Sequence, residues 1–258
     1  MKVTLLMYRK EIMEMIRNYK LLWIPVVFVL LGVTQPLTSY YLPDLLQATG
    51  DLPPELLDSF PVPGPSEVML KVLSQYSLIG ILVIVIAGMN MVAGELSGGT
   101  AALILVRPVR SIQFVFAKWA GYFSLIVISF VLSYGSAWYY TSLLQGTVPW
   151  REALAAGGLY LIWFSFAASL TLLCSTLLRG SAAAVVTLLL IGVLSLAHSL
   201  VPSWLAWSPA RLLTAAGSHL AGPLAPTNPV LPVAITLMLC VLFIVASSWS
   251  LRRQGISD

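Results

Sequence analysis

The chain contains six long apolar stretches, and they constrain its fold more than any other feature. A helix that crosses a bilayer needs about 20 mostly apolar residues. Only 9% of the 258 residues are charged, against about 25% in soluble domains. We therefore predict an all-α membrane protein in which residues 1–258 form a single transmembrane domain. The predicted spans are Leu21–Leu42, Tyr76–Ala93, Trp119–Leu144, Ala153–Leu178, Ala182–Val201 and Val233–Leu251.

The basic residues predict the orientation of these spans. Of the 14 lysines and arginines, all but Lys71, Arg151 and Arg211 fall in segments on one side of the membrane. Because cytoplasmic loops are enriched in lysine and arginine, we expect both termini to be cytoplasmic. The basic residues are dispersed among the ends of the spans, so we expect no nucleic-acid partner.

Residues 1–20 predict an amphipathic helix in the cytoplasmic membrane interface. Two groups of residues fall on opposite faces of this helix. The apolar face carries Leu5, Leu6, Tyr8, Ile12, Met13, Ile16 and Tyr19, and the polar face carries Lys10, Glu11, Glu14, Arg17 and Asn18. Such a helix either only anchors the chain in the membrane or also contacts a partner.

Two longer segments are expected on the external side. Pro43–Gln75 is rich in proline, which prevents a long helix, so we predict a loop with at most one turn around Glu55–Ser59. Pro202–Pro232 predicts an external helical element before the last span. There Ser208 is expected as the helix cap, Pro209 as its first residue and Gly222 as its stop.

The predicted spans contain almost no ionisable groups. His198 is the exception, and its place near the end of the fifth span is typical of an interface residue. An ion-coupled carrier usually needs charged groups at membrane depth, so this composition argues against one. HExxH and GxSxG motifs are also missing, so no catalytic or metal site is expected. Cys174 and Cys240 are expected to be free thiols.

The largest cytoplasmic loop, Gly94–Lys118, contains the sequence LSGGT (Leu96–Thr100), which resembles the LSGGQ signature of ABC-type ATPases. Those enzymes also need a phosphate-binding GxxxxGK[ST] motif, and none of the 18 glycines precedes a lysine. We therefore expect no nucleotide site in this chain. Gly98 and Gly99 favour a turn, Thr100 a helix cap and Ala101–Val106 a short helix. The alternative interpretation is that this loop is a basic hairpin that only binds anionic lipid.

The loop resembles that of ABC type-2 exporter permeases. The resemblance is carried by Glu95, Gly99-Thr100, Arg107-Pro108-Val109-Arg110 and Lys118, and by the six spans that follow an amphipathic helix. It implies a permease that couples to a separate cytoplasmic ATPase subunit, which would hold ATP and Mg²⁺. The short helix after Thr100 would be the coupling helix. A second permease subunit, identical or different, would complete the transport path.

The leading hypothesis is thus the permease of an ATP-driven exporter in a bacterial cytoplasmic membrane. The resemblance implies eight coupling residues: Glu95, Gly99, Thr100, Arg107, Pro108, Arg110, Tyr8 and Glu11. Glu95 is expected to pair with a base on the ATPase or with the nearby arginines. Apolar and small polar spans suit an amphipathic, peptide or lipid-like substrate. The alternatives are a membrane assembly or sensor subunit that transports nothing, and an ion-coupled secondary carrier.

Overall fold

The computed structural model describes residues 2–49, 63–98, 110–222 and 228–253. All regular secondary structure in these ranges is helical, and six segments are long and apolar enough to cross a membrane. The predicted all-α architecture with six spans is therefore confirmed. The helices are α1 (Lys2–Arg17), α2 (Lys20–Thr49), α3 (Pro65–Gln75), a π-helical turn (Tyr76–Gly80), α4 (Ile81–Gly88), α5 (Ala93–Ser97), α6 (Ser111–Leu144), α7 (Trp150–Leu177), α8 (Ser181–Leu200), α9 (Arg211–Ala221) and α10 (Val230–Arg253).

Helix α7 forms the centre of the bundle. Of the residues in its most apolar stretch, 78% are buried. Five helices pack against α7, namely α4, α6, α8, α9 and α10. Small side chains make this possible, because they let neighbouring helix backbones approach closely. Ala167 and Ala168 are fully buried. A Cβ atom on Gly157 would lie only 3.0 Å from the ring of Tyr134 on α6.

Helices α2 and α6 form the second main contact of the bundle. Gly32 is required there, since a Cβ atom at this position would lie 2.5 Å from the carbonyl oxygen of Ser133. The buried hydroxyl of Ser133 donates to the carbonyl oxygen of Phe28 and is hydrogen-bonded to the hydroxyl of Tyr76. These bonds connect the first three spans within the apolar core.

The second span begins earlier than the sequence predicted. Helix α3 starts at Pro65, where the fixed φ of proline suits the first helical position, and it buries Val68 and Val72. Helix α2 continues to Thr49. The prediction of a loop over Pro43–Gln75 is thus wrong at both ends, where the chain is helical. Residues 50–62, which include the turn expected at Glu55–Ser59, lie outside the described residues.

The helical element before the last span is present as α9. Its buried face packs against α7 and α3. Ser208 does not cap it as predicted, because the helix begins at Arg211 and its N-cap residue is Ala210. The hydroxyl of Ser208 instead lies 3.4 Å from Nδ1 of His198 at the end of α8. Gly222 ends the helix, as predicted, with a φ of +105° that favours glycine.

Helix α1 is amphipathic, as expected, but its two faces meet different surroundings. Leu5 and Leu6 are 69% and 65% exposed, which suits a face that lies on lipid. On the opposite face Glu11 is buried against α6. At the joint with α2, Tyr19 has a φ of +55°, a conformation that is rare for a residue with a bulky side chain.

Candidate functional site

The second span is interrupted near one end of the bundle. Helix α4 ends at Gly88, and α5 begins at Ala93 after a turn. Such a break leaves backbone groups without helical partners. Two other spans satisfy them: the ammonium group of Lys20 donates to the carbonyl oxygen of Ala87 at 2.8 Å, and the hydroxyl of Ser175 accepts from the backbone N–H groups of Val92 and Ala93 at 3.1 and 3.2 Å. The break is therefore a stabilised part of the fold.

The short helix α5 places Glu95 inside the protein. The residue is only 8% exposed. Its Oε1 atom accepts a hydrogen bond from Lys10 on α1 and forms an ion pair of 3.1 Å with Lys118 on α6. Its Oε2 atom is buried and has no hydrogen-bond partner within the described ranges. Because an unpaired buried acceptor costs about 1–3 kcal/mol, Glu95 is incompletely satisfied in this conformation.

Lys118 lies at the centre of the same group of charges. It is 1% exposed, and its ammonium group is 3.0 Å from both carboxylate oxygens of Glu11. It also lies 5.3 Å from the centre of the Phe114 ring. Gly121 allows α1 to come this close, since a Cβ atom there would be 3.1 Å from the Cβ atom of Glu11. The buried cation is thus held by two carboxylates from two other helices.

Lys10 occupies the rim of the group. Its ammonium group lies 3.5 Å from Glu11 and 3.7 Å from Glu14, in addition to the contact with Glu95. Partial burial lowers the pKa of Lys10, but the hydrogen bond to Glu95 and the charges of the three carboxylates raise it more. The net result is a pKa above the ordinary value for lysine, so this side chain is a cation at physiological pH.

We call Lys10, Glu11, Glu95 and Lys118 the ion-pair cluster. It joins α1 to both α5 and α6. In the sequence, α5 comes before residues 99–109 and α6 comes after them. The carboxylate oxygens of Glu11, Glu14 and Glu95 lie within 4.8 Å of one another, a spacing that could hold a metal ion. However, the ammonium groups of Lys10 and Lys118 already pair with these oxygens. The donor set is therefore that of an ion-pair network.

A polar cleft of about 690 Å³ opens beside the ion-pair cluster. It lies between α1, the joint with α2 and the interrupted second span. Its walls include Lys10, Arg17, Lys20, Asn90 and Glu95. The cleft gives solvent access to one side of the cluster, whereas Lys118 is enclosed.

The comparison with protein families shows the family of the chain. The family model described as "ABC-2 family transporter protein" matches residues 5–256. The chain belongs to the ABC-2 transporter family. It is also 34% identical over 254 residues to the uncharacterized transmembrane protein YxlG of Bacillus subtilis (strain 168), with 98% of each chain covered. The ABC-2 protein is thus a multi-pass membrane protein and a permease of an ABC-type transporter, and its family implies partnership with an ATPase subunit.

The structure brings together some of the predicted coupling residues of this ABC-2 protein. Glu95 and Glu11 both lie in the ion-pair cluster. Tyr8 lies on the same contact between α1 and α6 but outside the cluster, where its hydroxyl donates to Oγ of Ser124 at 3.0 Å. Arg110 is exposed and is the N-cap residue of α6. The remaining predictions, which are Gly99, Thr100, Arg107, Pro108 and the coupling helix Ala101–Val106, lie outside the described residues.

Three other contributors to the site, Lys10, Lys118 and Ser175, are not among the predicted coupling residues. Glu95 was expected to pair with arginines or with the partner, but two lysines of the same chain bind it, Lys10 and Lys118. Ser175 lies within the fourth predicted span, and the sequence predicts no role for it. The sequence does indicate that Lys118 is buried. It lies four residues after Phe114 and four residues before Tyr122, and these three residues share one buried face of α6. A lysine in such a position requires acidic partners.

Proposed function

We propose that this ABC-2 protein is the permease subunit of an ATP-driven exporter and that the ion-pair cluster transmits the motion of the ATPase to the membrane spans. A separate cytoplasmic ATPase would hold ATP and Mg²⁺. The observation that carries this proposal is the connection of three elements by buried charges. Helices α5 and α6 flank residues 99–109, and both are bound through Glu95 and Lys118 to α1.

The energy of the cluster supports such a role. Removing one partner from a buried ion pair typically costs about 3–5 kcal/mol, because the remaining charge is left uncompensated. Because separating these charges would leave them uncompensated, α1, α5 and α6 would move as one body. A displacement of the loop would tilt the second and third spans with it.

The incomplete pairing of Glu95 supports a change of state. Its Oε2 atom has no partner in the part of the chain that the structure describes, while Lys10 on the rim has three carboxylates near it. A shift of the Lys10 side chain from Oε1 toward Oε2 of Glu95 would redistribute these contacts while α1, α5 and α6 stay joined. We infer that the cluster has a second arrangement in the transport cycle, which ATP binding to the partner would favour.

We further propose that the substrate is amphipathic, peptide or lipid-like, and that two permease subunits enclose its path. The exposed face of α2 supports this class of substrate. It presents Thr34 and Thr38 among large apolar side chains, and both hydroxyls donate to carbonyl oxygens of their own helix. Such a face is weakly polar. It would suit a molecule with both apolar and polar parts better than a bare ion.

The test replaces Glu95 by alanine or glutamine in the permease reconstituted with its ATPase. We expect transport to be abolished and stimulation of the ATPase by the permease to be lost, while membrane insertion is retained. Glu14→Gln is the matched control, because Glu14 contacts the same Lys10 but its side chain is 45% exposed; its transport should be close to wild type. Normal transport by Glu95→Ala would remove Glu95 from the mechanism.

The same measurement separates the permease from an assembly or sensor subunit. A subunit that transports nothing would leave the ATPase rate of the partner unchanged on reconstitution. Transport driven by an ion gradient without the ATPase would favour a secondary carrier. Co-purification of a stoichiometric ATPase with the tagged protein under mild detergent would support the exporter.

A further inference from the structure

The second span holds one residue more than a continuous α-helix would need over the same length. Between α3 and α4 the chain forms the π-helical turn Tyr76–Gly80, where the N–H group of Ile81 donates to the carbonyl oxygen of Tyr76, five residues back. Such a turn inserts one residue into an α-helix, and π-helical turns occur mostly at functional sites. Conversion of the turn to an α-helix would therefore rotate the following helix by about 100° and advance it by about 1.5 Å.

Side chains fix the register at the start of this turn. The ring of Tyr76 is fully buried and stacks on Phe28 with the ring centres 6.0 Å apart, and its hydroxyl is hydrogen-bonded to the hydroxyl of Ser133. The hydroxyl of Ser77 lies 2.8 Å from that of Tyr160 on α7, within hydrogen-bond distance. Because these contacts belong to particular side chains, a shift of Tyr76 or Ser77 by one residue would break them.

The polar contacts of α4 depend much less on register. The hydroxyl of Tyr122 on α6 donates to the carbonyl oxygen of Ile84, and the ammonium group of Lys20 donates to that of Ala87. Every residue carries a carbonyl group, so after a shift by one residue the same donors would meet the carbonyl groups of the preceding residues. Helix α4 has only eight residues and lies between the π-helical turn and the break after Gly88, so neither of its ends continues directly into another α-helix.

The sequence of α4 tolerates such a shift over most of its length. Its first six residues, ILVIVI, are all apolar, and the outward-facing Ile86 is 46% exposed. A shift by one residue would place Val83 where the buried Ile84 now packs, and Ile84 where the buried Val85 packs. Exchanges between apolar side chains of similar volume are tolerated in a packed core.

The last turn of α4 makes the present register the preferred one. Ala87 is 5% exposed, and a Cβ atom on Gly88 would lie 3.0 Å from the side chain of Thr171 and 3.1 Å from the ring of Tyr122. In the second register Ile86 and Ala87 would occupy these two places. Their larger side chains would displace this end of α4 from α6 and α7.

We propose that Tyr76–Gly80 is a register switch between two positions of α4. In the second position the turn is α-helical, α3 and α5 keep their places, and residues 89–92 take up the displacement of about 1.5 Å. The switch rests on the proposed function in one respect, which is that ATP binding to the partner favours the second position. The tilt of α5 and α6 moves the break against Ser175 of α7, whose hydroxyl accepts from the N–H groups of Val92 and Ala93.

Disulfide trapping in the full-length protein, with its two native cysteines replaced by alanine, tests the two positions. The pair Gly88→Cys and Thr171→Cys should cross-link in the present position, since a Cβ atom at position 88 lies against the side chain of Thr171. The pair Ala87→Cys and Thr171→Cys should cross-link through the second position, in which Ala87 occupies the place of Gly88.

Deletion of Leu78, whose side chain is 76% exposed, is the matched control. It removes the extra residue and leaves α4 only its present position. The Ala87 pair should then cross-link about tenfold more slowly, and the Gly88 pair at its former rate. The unfolding temperature should stay within about 2 °C of the wild type. Deletion of the exposed Leu189 from the regular helix α8 should lower it by about 5 °C or more, because the buried Ile191 would turn out of the core.

Equal cross-linking of the Ala87 pair with and without Leu78 would overturn the switch, and so would equal destabilisation by the two deletions. If Gly88→Cys does not fold because of crowding by Tyr122, the Ala87 pair alone decides the question. With the reconstituted ATPase, a non-hydrolysable ATP analogue should raise the cross-linking rate of the Ala87 pair. A cross-link that depends on Leu78 but not on the analogue would confirm the two positions and contradict the ATP-driven shift alone.

Discussion

Lys118 is the residue on which the geometry of the site depends most. A buried ammonium group is stable only when carboxylates pair with it, because the loss of hydration costs several kcal/mol per ion. Glu11 and Glu95 supply these carboxylates from α1 and α5. Since these three residues are far apart in the sequence, their pairing fixes the arrangement of three helices at one end of the bundle.

Replacing Lys118 by methionine should lower the free energy of unfolding by about 3–5 kcal/mol, because the carboxylate of Glu11 would lose the partner of both its oxygens. Thermal unfolding of the purified protein in detergent measures the change. Lys71→Met is the matched control. Lys71 forms a pair of 3.4 Å with Glu67, but both side chains are about half exposed, and we expect a change of about 0.5 kcal/mol or less.

A second variant tests whether the loss arises from the unpaired charge. Glu11→Gln combined with Lys118→Met removes one carboxylate together with its ammonium partner, so the double variant should be more stable than the sum of the single effects predicts. Strictly additive effects would show that Glu11 and Lys118 do not interact in solution.

At the scale of the helices, the interrupted second span is the element that positions Glu95. Because α5 begins after a turn, its direction is set by the contacts at the break and not by continuation of α4. Ser175 from α7 provides the contact on one side, and Lys20 from α2 provides the contact on the other. The central span and the first span are thus linked to the segment that carries Glu95.

Ser175→Ala should destabilise the break, because the buried N–H groups of Val92 and Ala93 would lose their acceptor. We expect a loss of about 1–3 kcal/mol in unfolding free energy and weaker stimulation of the ATPase by the reconstituted permease. Ser199→Ala is the matched control, since its hydroxyl is exposed and donates only within its own helix. Full ATPase stimulation by Ser175→Ala would show that α5 keeps its position without this contact.

The sequence predicted the number and character of the spans because a bilayer requires long apolar helices. It did not predict that the second span begins at Pro65, since Glu67 and Lys71 make this part polar and only the buried Val68 and Val72 reveal it. The break at Gly88 was also missed, because the predicted span is apolar apart from Ser77 and Asn90 and contains no proline. Glu95 and Glu11 were named from the resemblance, but contacts between residues 85 and 107 positions apart cannot be derived from one sequence.

At the scale of the whole molecule, α6 connects the two ends of the bundle. Lys118 and Trp138 are 20 positions apart, which corresponds to about 30 Å along a helix, the thickness of the hydrocarbon core. The ion-pair cluster and the connection between α6 and α7 therefore lie at opposite membrane surfaces. Lys10 and Lys118, with Arg17, Arg110 and Arg252 at helix ends, lie on the side of the cluster, and Arg151 lies at the start of α7 on the other side.

This asymmetry predicts the topology. Because the cluster end carries most of the basic residues, it should face the cytoplasm, where the ATPase would be. The measurement is labelling with a membrane-impermeant maleimide in bacterial cells, in a chain whose buried Cys174 and Cys240 are replaced by alanine. Thr147→Cys, exposed between α6 and α7, should react in intact cells. Asn18→Cys, exposed at the joint of α1 and α2, should react only after the membrane is opened. The reverse pattern would place the cluster outside, where no ATPase could reach it, and would contradict both the topology and the proposed coupling.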